Sequence, residues 1–84
     1  MNWKEYISSD SEVLLGKPCI KGTRISVEFI IQLLASGWTE KQIFENYPTI
    51  NQIHLQAIFM YIFENIHDNL IFNFSIPKND KIAS

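Results

Sequence analysis

Charge is scarce in this sequence, and arginine is nearly absent. Charged residues make up 19% of the 84 residues, against about 25% in an average domain, and Arg24 is the one arginine. From Asn46 to Phe63 there is no Asp, Glu, Lys or Arg. The net charge of −2 argues against strong unassisted binding to nucleic acid, because that affinity rests on neutralising phosphates. It leaves room for a local basic face. The one cysteine, Cys19, has no partner for an internal disulfide and reads as a small half-buried hydrophobe of a reducing compartment. Cys19, His54 and His67 lack zinc-finger or HExxH spacing, so neither a metal nor a cofactor is expected. No nucleophile, base and orienting group can be assembled into a set. Glu28, Glu40, Glu45 and Glu64 read as caps or solvated helix faces, and an enzyme is not expected. No leader pattern opens the chain and no apolar span reaches the roughly 18 residues of a membrane helix. A soluble cytoplasmic protein without a membrane role is the expectation.

What the sequence does have is apolar side chains, 46% of the total, with 13% aromatic. A chain of this length is one domain, and a domain so small buries only about 60% of its surface as a monomer. That is more apolar material than a small core easily hides, so a homodimer or larger even oligomer, or a protein partner, is expected.

The chain is best read outward from GKPCIKGTRISV, Gly16 to Val27, which holds Lys17, Lys21 and Arg24 and no acid. Pro18 biases Lys17 towards extended backbone. Ile20-Lys21-Gly22-Thr23 reads as a tight turn in which Gly22 takes a positive φ. Short extended pieces flank the turn, with Ile20 and Ile25 inward and Lys21 and Arg24 in water. Two roles stay open for it: a hairpin that positions the first helix, or a basic loop that touches phosphate or an acidic partner. The GxxxxGK[ST] order is absent, so nucleotide binding is unsupported.

Three helices follow. Ser26 is an N-cap for a helix from Val27 to about Ser36, stopped by Gly37. Thr39 and Gln42 form a capping box, with Trp38 and Ile43 as a staple, for a helix from Glu40 to about Asn46. Pro48 prevents continuation. Thr49-Ile50-Asn51-Gln52 repeats the capping-box pattern, and Asn51 is an alternative cap, for a helix to about Asn65. That third helix is apolar nearly all round: Ile53, Ala57, Met60 and Tyr61 on one side, Leu55, Ile58, Phe59, Ile62, Phe63 and Ile66 on the other. Such a helix is buried on more than one side. Before the hairpin, a strand is expected near Tyr6 to Ser8, paired with one arm of the hairpin or with another subunit. Trp3 reads as a packing anchor, and Asp10 or Ser11 as the start of one helical turn through Leu14. After the helices, Leu70, Phe72, Phe74 and Ile76 alternate like a strand.

GKPCIKGTRISV, followed by LLASGWTEKQIFENYPTI, resembles the domain-of-unknown-function-433 family. Its members carry a GxPxxxGTRIxV stretch, a helix, and a short helix ending in YPxL or YPxI. The resemblance runs from about Ile7 to about Ile66. It implies a compact domain of helix-turn-helix type and an antitoxin-like role beside a PIN-like ribonuclease toxin.

The expected fold is therefore mainly α: a three-helix, helix-turn-helix-like domain with a short N-terminal β-hairpin or extended segment. Residues 1–66 form the helical domain, with an extended part at 1–25 and helices at 26–66. Residues 67–84 form a tail that binds a partner or caps a dimer. If operator DNA is bound, Lys17, Lys21 and Arg24 would meet phosphates and Asn51, Gln52 and Gln56 the bases. Leu55, Ile58, Phe59, Ile62 and Phe63 are the expected dimer interface. Leu70, Ile71, Phe72, Phe74 and Ile76 are the expected toxin-binding segment. The expected function is neutralisation of a PIN-like ribonuclease by direct binding, with autoregulation through DNA as an added role. The alternative is a homodimeric interaction module with no DNA-binding role.

Overall fold

The computed structural model of the chain describes residues 1–68. The expected toxin-binding residues Leu70, Ile71, Phe72, Phe74 and Ile76 lie outside the described residues. Within them the protein is mainly helical: a two-stranded antiparallel pair at the N-terminal end, then three helices.

A 3-10 turn, Trp3–Glu5, opens the fold, capped by the Asn2 side chain on the Lys4 amide. Strand β1 is Ile7–Ser8 and strand β2 is Cys19–Ile20, in the register Ile7 opposite Ile20 and Ser8 opposite Cys19. The strand near Tyr6 thus pairs with one arm of the hairpin inside its own chain. That hairpin closes as its residues dictate. Thr23 N–H donates to the Ile20 carbonyl at 3.0 Å and Ile20 N–H to the Ile25 carbonyl at 2.9 Å. Gly22 sits at φ +82°, the positive value that the third position of such a turn requires. The Thr23 hydroxyl donates to the Ile20 carbonyl and accepts from the Ile25 amide, locking the turn from the inside.

The segment between the strands departs from the expected helical turn. The Asp10 carboxylate accepts from the Glu12 amide at 2.8 Å, and a bridge joins Asp10 to Val13. The turn itself comes later, at Leu14–Gly16, and it is left-handed: φ is +49° at Leu14, +57° at Leu15 and +84° at Gly16. The local Asp10 bond competes with helix formation, so the chain reverses at the glycine end of the run.

Helix α1, Val27–Ala35, starts at Ser26, whose hydroxyl accepts from Phe29 N–H at 2.9 Å. It ends in a pair of bonds, Gly37 N–H to the Leu34 carbonyl and Trp38 N–H to the Leu33 carbonyl, with Gly37 at φ +99°. This Schellman arrangement needs a left-handed residue at Gly37. Helix α2, Glu40–Asn46, carries the full capping box of Thr39 and Gln42. Helix α3, Gln52–Asp68, runs three residues beyond the expected end. Of the two caps left open, Asn51 is used: its side chain accepts from Ile53 N–H while its own N–H donates to His54 Nδ1 at 3.0 Å. Histidine here takes the part that Glu or Gln plays in a capping box.

The core joins both strands and all three helices: Ile7 and Ile20 from the strands, Val27 and Ile30 from α1, Ile43 from α2, Ile50, and Leu55, Ala57 and Ile58 from α3. Trp3 is the anchor expected of it. Its ring meets Tyr61 edge-on at 4.9 Å and its Nε1–H donates to the Glu64 carboxylate at 2.9 Å, fixing the N-terminal turn to the second half of α3.

Candidate functional site

Three surface features come out of this packing. The first lies on α3. Leu55 and Ile58 are 0% exposed inside the chain's own core, whereas Phe59 is 45% and Phe63 59% exposed. The expected dimer interface is therefore revised: Leu55 and Ile58 are buried in the chain's own core rather than facing a second chain, and Ile62 is half-buried against the same core. The two apolar sides read from the sequence also regroup, because Leu55, Ala57 and Ile58 all go inward. What remains outside is one stripe, Gln52, Gln56, Phe59, Phe63 and His67, at the spacing of neighbours on one helix face. The imidazole of His67 stacks on Phe63, with centroids 5.9 Å apart and an interplanar angle of 16°. Met1, Gln56, Phe59, Met60 and Phe63 line a shallow, largely apolar groove of about 460 Å³.

The second feature is the basic hairpin. Lys17 is engaged, its ammonium 3.0 Å from the Glu28 carboxylate at the start of α1. Lys21 Nζ donates to the Lys4 carbonyl at 3.1 Å, which sets two lysine residues side by side. Lys21 N–H also donates to the Tyr6 carbonyl, and the Tyr6 ring meets His54 edge-on at 5.9 Å. The hairpin is thereby tied, through Tyr6 and His54, to the first turn of α3 where Asn51 and Gln52 lie. Asn51 is occupied as a cap, while Gln52 and Gln56 are exposed. Of the six residues expected at DNA, Lys17, Lys21 and Asn51 thus have side-chain bonds within the chain.

The third feature was not expected. Ser8, Asp10, Val13, Cys19, Gly22, Thr23 and Arg24 line a cleft of about 390 Å³ between the hairpin and the Asp10–Val13 loop. Cys19 is buried, its thiol donating to the Lys17 carbonyl at 3.2 Å. Elsewhere on the surface, Leu15 stands 95% exposed on the left-handed turn.

Sequence reasoning had the signal for the α3 stripe in hand, since Gln52, Gln56, Phe59 and Phe63 follow the i, i+4, i+7, i+11 series. It missed Met1, Met60 and Leu15. Nothing in the sequence distinguishes an apolar residue turned outward in the Val13-Leu14-Leu15 run from one turned inward. Among the described residues no group of His, Cys, Asp and Glu is placed to hold a metal, and no helix is long and apolar enough to cross a membrane.

The sequence model of the family described as "Protein of unknown function (DUF433)" matches residues 7–62. A crystal structure of a DUF433 member protein from Anabaena variabilis ATCC 29413 is similar, with 27% sequence identity and a TM-score of 0.69 over 74% of this chain. The similar part is 61% of that protein's chain. No curated protein matches this chain.

Proposed function

Since the chain belongs to the DUF433 family, with uncharged apolar surface on its longest helix, we propose that it is an antitoxin-like protein-binding module, a homodimer that neutralises a PIN-like ribonuclease by direct binding. The observation that carries this reading is the exposure of Phe59 and Phe63 beside an apolar groove. Aromatic side chains dominate interface energetics, and an exposed apolar patch rimmed by polar groups marks an interaction site. Binding, not catalysis, is the activity proposed. The identity of the ribonuclease rests on the family resemblance.

The same arrangement weakens the case for DNA. With Lys17 held by Glu28, a dimer offers about four hairpin cations, Lys21 and Arg24 twice over, for a salt slope near −4 or shallower. Gln56 lies on the stripe that Phe59 and Phe63 continue, so one residue would have to serve both a base edge and a helix pairing. Autoregulation at DNA is accordingly the lesser part of the proposal. The alternative of an interaction module with no DNA role differs only in that part.

The test is inhibition. Titrating the full chain into the ribonuclease should abolish RNA cleavage at a fixed stoichiometry. Cleavage that continues undiminished with the chain in excess would refute the reading.

A further inference from the structure

We infer that the groove on α3 is filled by α3 of a second copy of this chain, running antiparallel, with the two-fold axis between Phe59 and Met60. The inference deepens the proposed function: it rests on the homodimer of that reading and names the surface, direction and register of the pairing.

The exposed stripe is complementary to itself in that direction. An isologous contact sets residue i against j and j against i. With the axis between Phe59 and Met60, antiparallel helices set Phe59 against Met60, Gln56 against Phe63, and Gln52 against His67. Phe59, Met60, Phe63 and Gln56 all line the groove, so the apolar groups meet at its centre. The two exposed polar residues, Gln52 and His67, close the stripe at its ends. Neither side chain has a hydrogen-bond partner among the described residues, and an amide and an imidazole each offer a donor and an acceptor.

Charge selects both the occupant and the direction. No Asp, Glu, Lys or Arg lies between Asn46 and Phe63, so the groove gives a charged partner nothing to pair with. Two copies of a chain of net charge −2 meet there without opposing charges of one sign. A parallel pair would bring the two α3 N-termini together, with their like partial charges. It would also bring together the two basic hairpins, each tied to the start of its own α3 through Tyr6 and His54. The antiparallel pair separates both. Area sets the strength. Phe59 is 45% and Phe63 59% exposed, which amounts to roughly 200 Å² of aromatic surface per copy, against about 800 Å² per partner in a standard interface. The dimer is therefore weak, with dissociation in the micromolar range, and it joins chains that already hold a core of their own.

Sedimentation equilibrium of the full-length chain tests this, with circular dichroism to establish that each variant is folded. Phe63→Gln should stay folded and associate about tenfold or more weakly. A second variant reads the direction. Gln52→Glu with His67→Lys in one chain keeps the net charge and suits the helix dipole at both ends. Antiparallel pairing sets opposite charges face to face twice, so this variant should associate about fivefold more tightly than wild type at low salt and lose the gain at high salt. Parallel pairing would set like charges together and weaken association instead. Wild-type chain that is monomeric at every concentration overturns this pairing and the homodimer of the proposed function, while inhibition of the ribonuclease decides the neutralisation separately. Wild-type chain that dimerises overturns this pairing alone, and leaves the proposed function standing, if folded Phe63→Gln associates as well as wild type or if the charged pair fails to tighten it.

Discussion

Trp3 shows how much a single residue at the edge of this fold does. Its indole nitrogen is bonded to Glu64 and its ring abuts Tyr61, so one side chain joins the first turn to the far end of α3. Trp3→Phe keeps most of the ring contact and leaves the part-buried Glu64 carboxylate without its donor. A loss of about 1–2 kcal/mol is expected, read as a lower midpoint in urea unfolding, and an unchanged midpoint would mean that the bond adds nothing. Gly22 is sensitive for a different reason. A Cβ there would meet nothing within 4 Å, yet φ is +82°, so Gly22→Ala should cost about 1 kcal/mol through backbone strain alone. At this scale the sequence was legible where a residue's chemistry is itself conformational: Gly22 in the turn, Pro18 holding Lys17 extended, Trp3 as an anchor. It was illegible at Leu14 and Leu15, since leucine carries no signal for a positive φ. His54 was legible only as polar; that it would complete the cap of Asn51 depended on where α3 begins.

The helices were legible because their ends are coded locally. Ser26, the Thr39–Gln42 box and Gly37 satisfy terminal amides and carbonyls with neighbours in sequence, independently of the tertiary structure. Thr39→Ala removes the hydroxyl that accepts from the Gln42 amide and should destabilise the fold by about 1 kcal/mol, with Thr39→Ser recovering most of it; loss of helical circular dichroism with temperature is the readout. The sides of α3 were harder. When a helix is apolar nearly all round, periodicity gives candidate faces without choosing the one that meets the core. The choice is made by the other elements. Ile30, Ile43 and Ile50 take Leu55, Ala57 and Ile58 into a shared cluster, and the stripe from Gln52 to Phe63 is left over. The pairing of β1 with β2 belongs to the same class, because a two-residue strand has no period to read and its partner is fixed by the hairpin beside it.

For the molecule as a whole, the core of buried isoleucines and leucine and the exposed phenylalanines make separable predictions. Ile62 is half-buried against the core, so Ile62→Asp should unfold the chain. Phe59 is 45% exposed, so Phe59→Asp should leave the monomer folded and remove about 2 kcal/mol of apolar burial from each side of a dimer. Light scattering with circular dichroism distinguishes them: a folded monomer for Phe59→Asp and an unfolded chain for Ile62→Asp are expected, and a folded dimer for Phe59→Asp would place self-association elsewhere. The sequence announced a surplus of apolar surface; which residues carry it required the packed core. The central claim is that this surface binds protein. Its most direct test is retention of the untagged PIN-like ribonuclease by the tagged full-length chain, washed at increasing salt. Apolar contacts are not screened as exposed charges are, so the ribonuclease should stay bound at high salt. A ribonuclease that never binds, beside upstream DNA that binds with a steep salt dependence, would contradict the account.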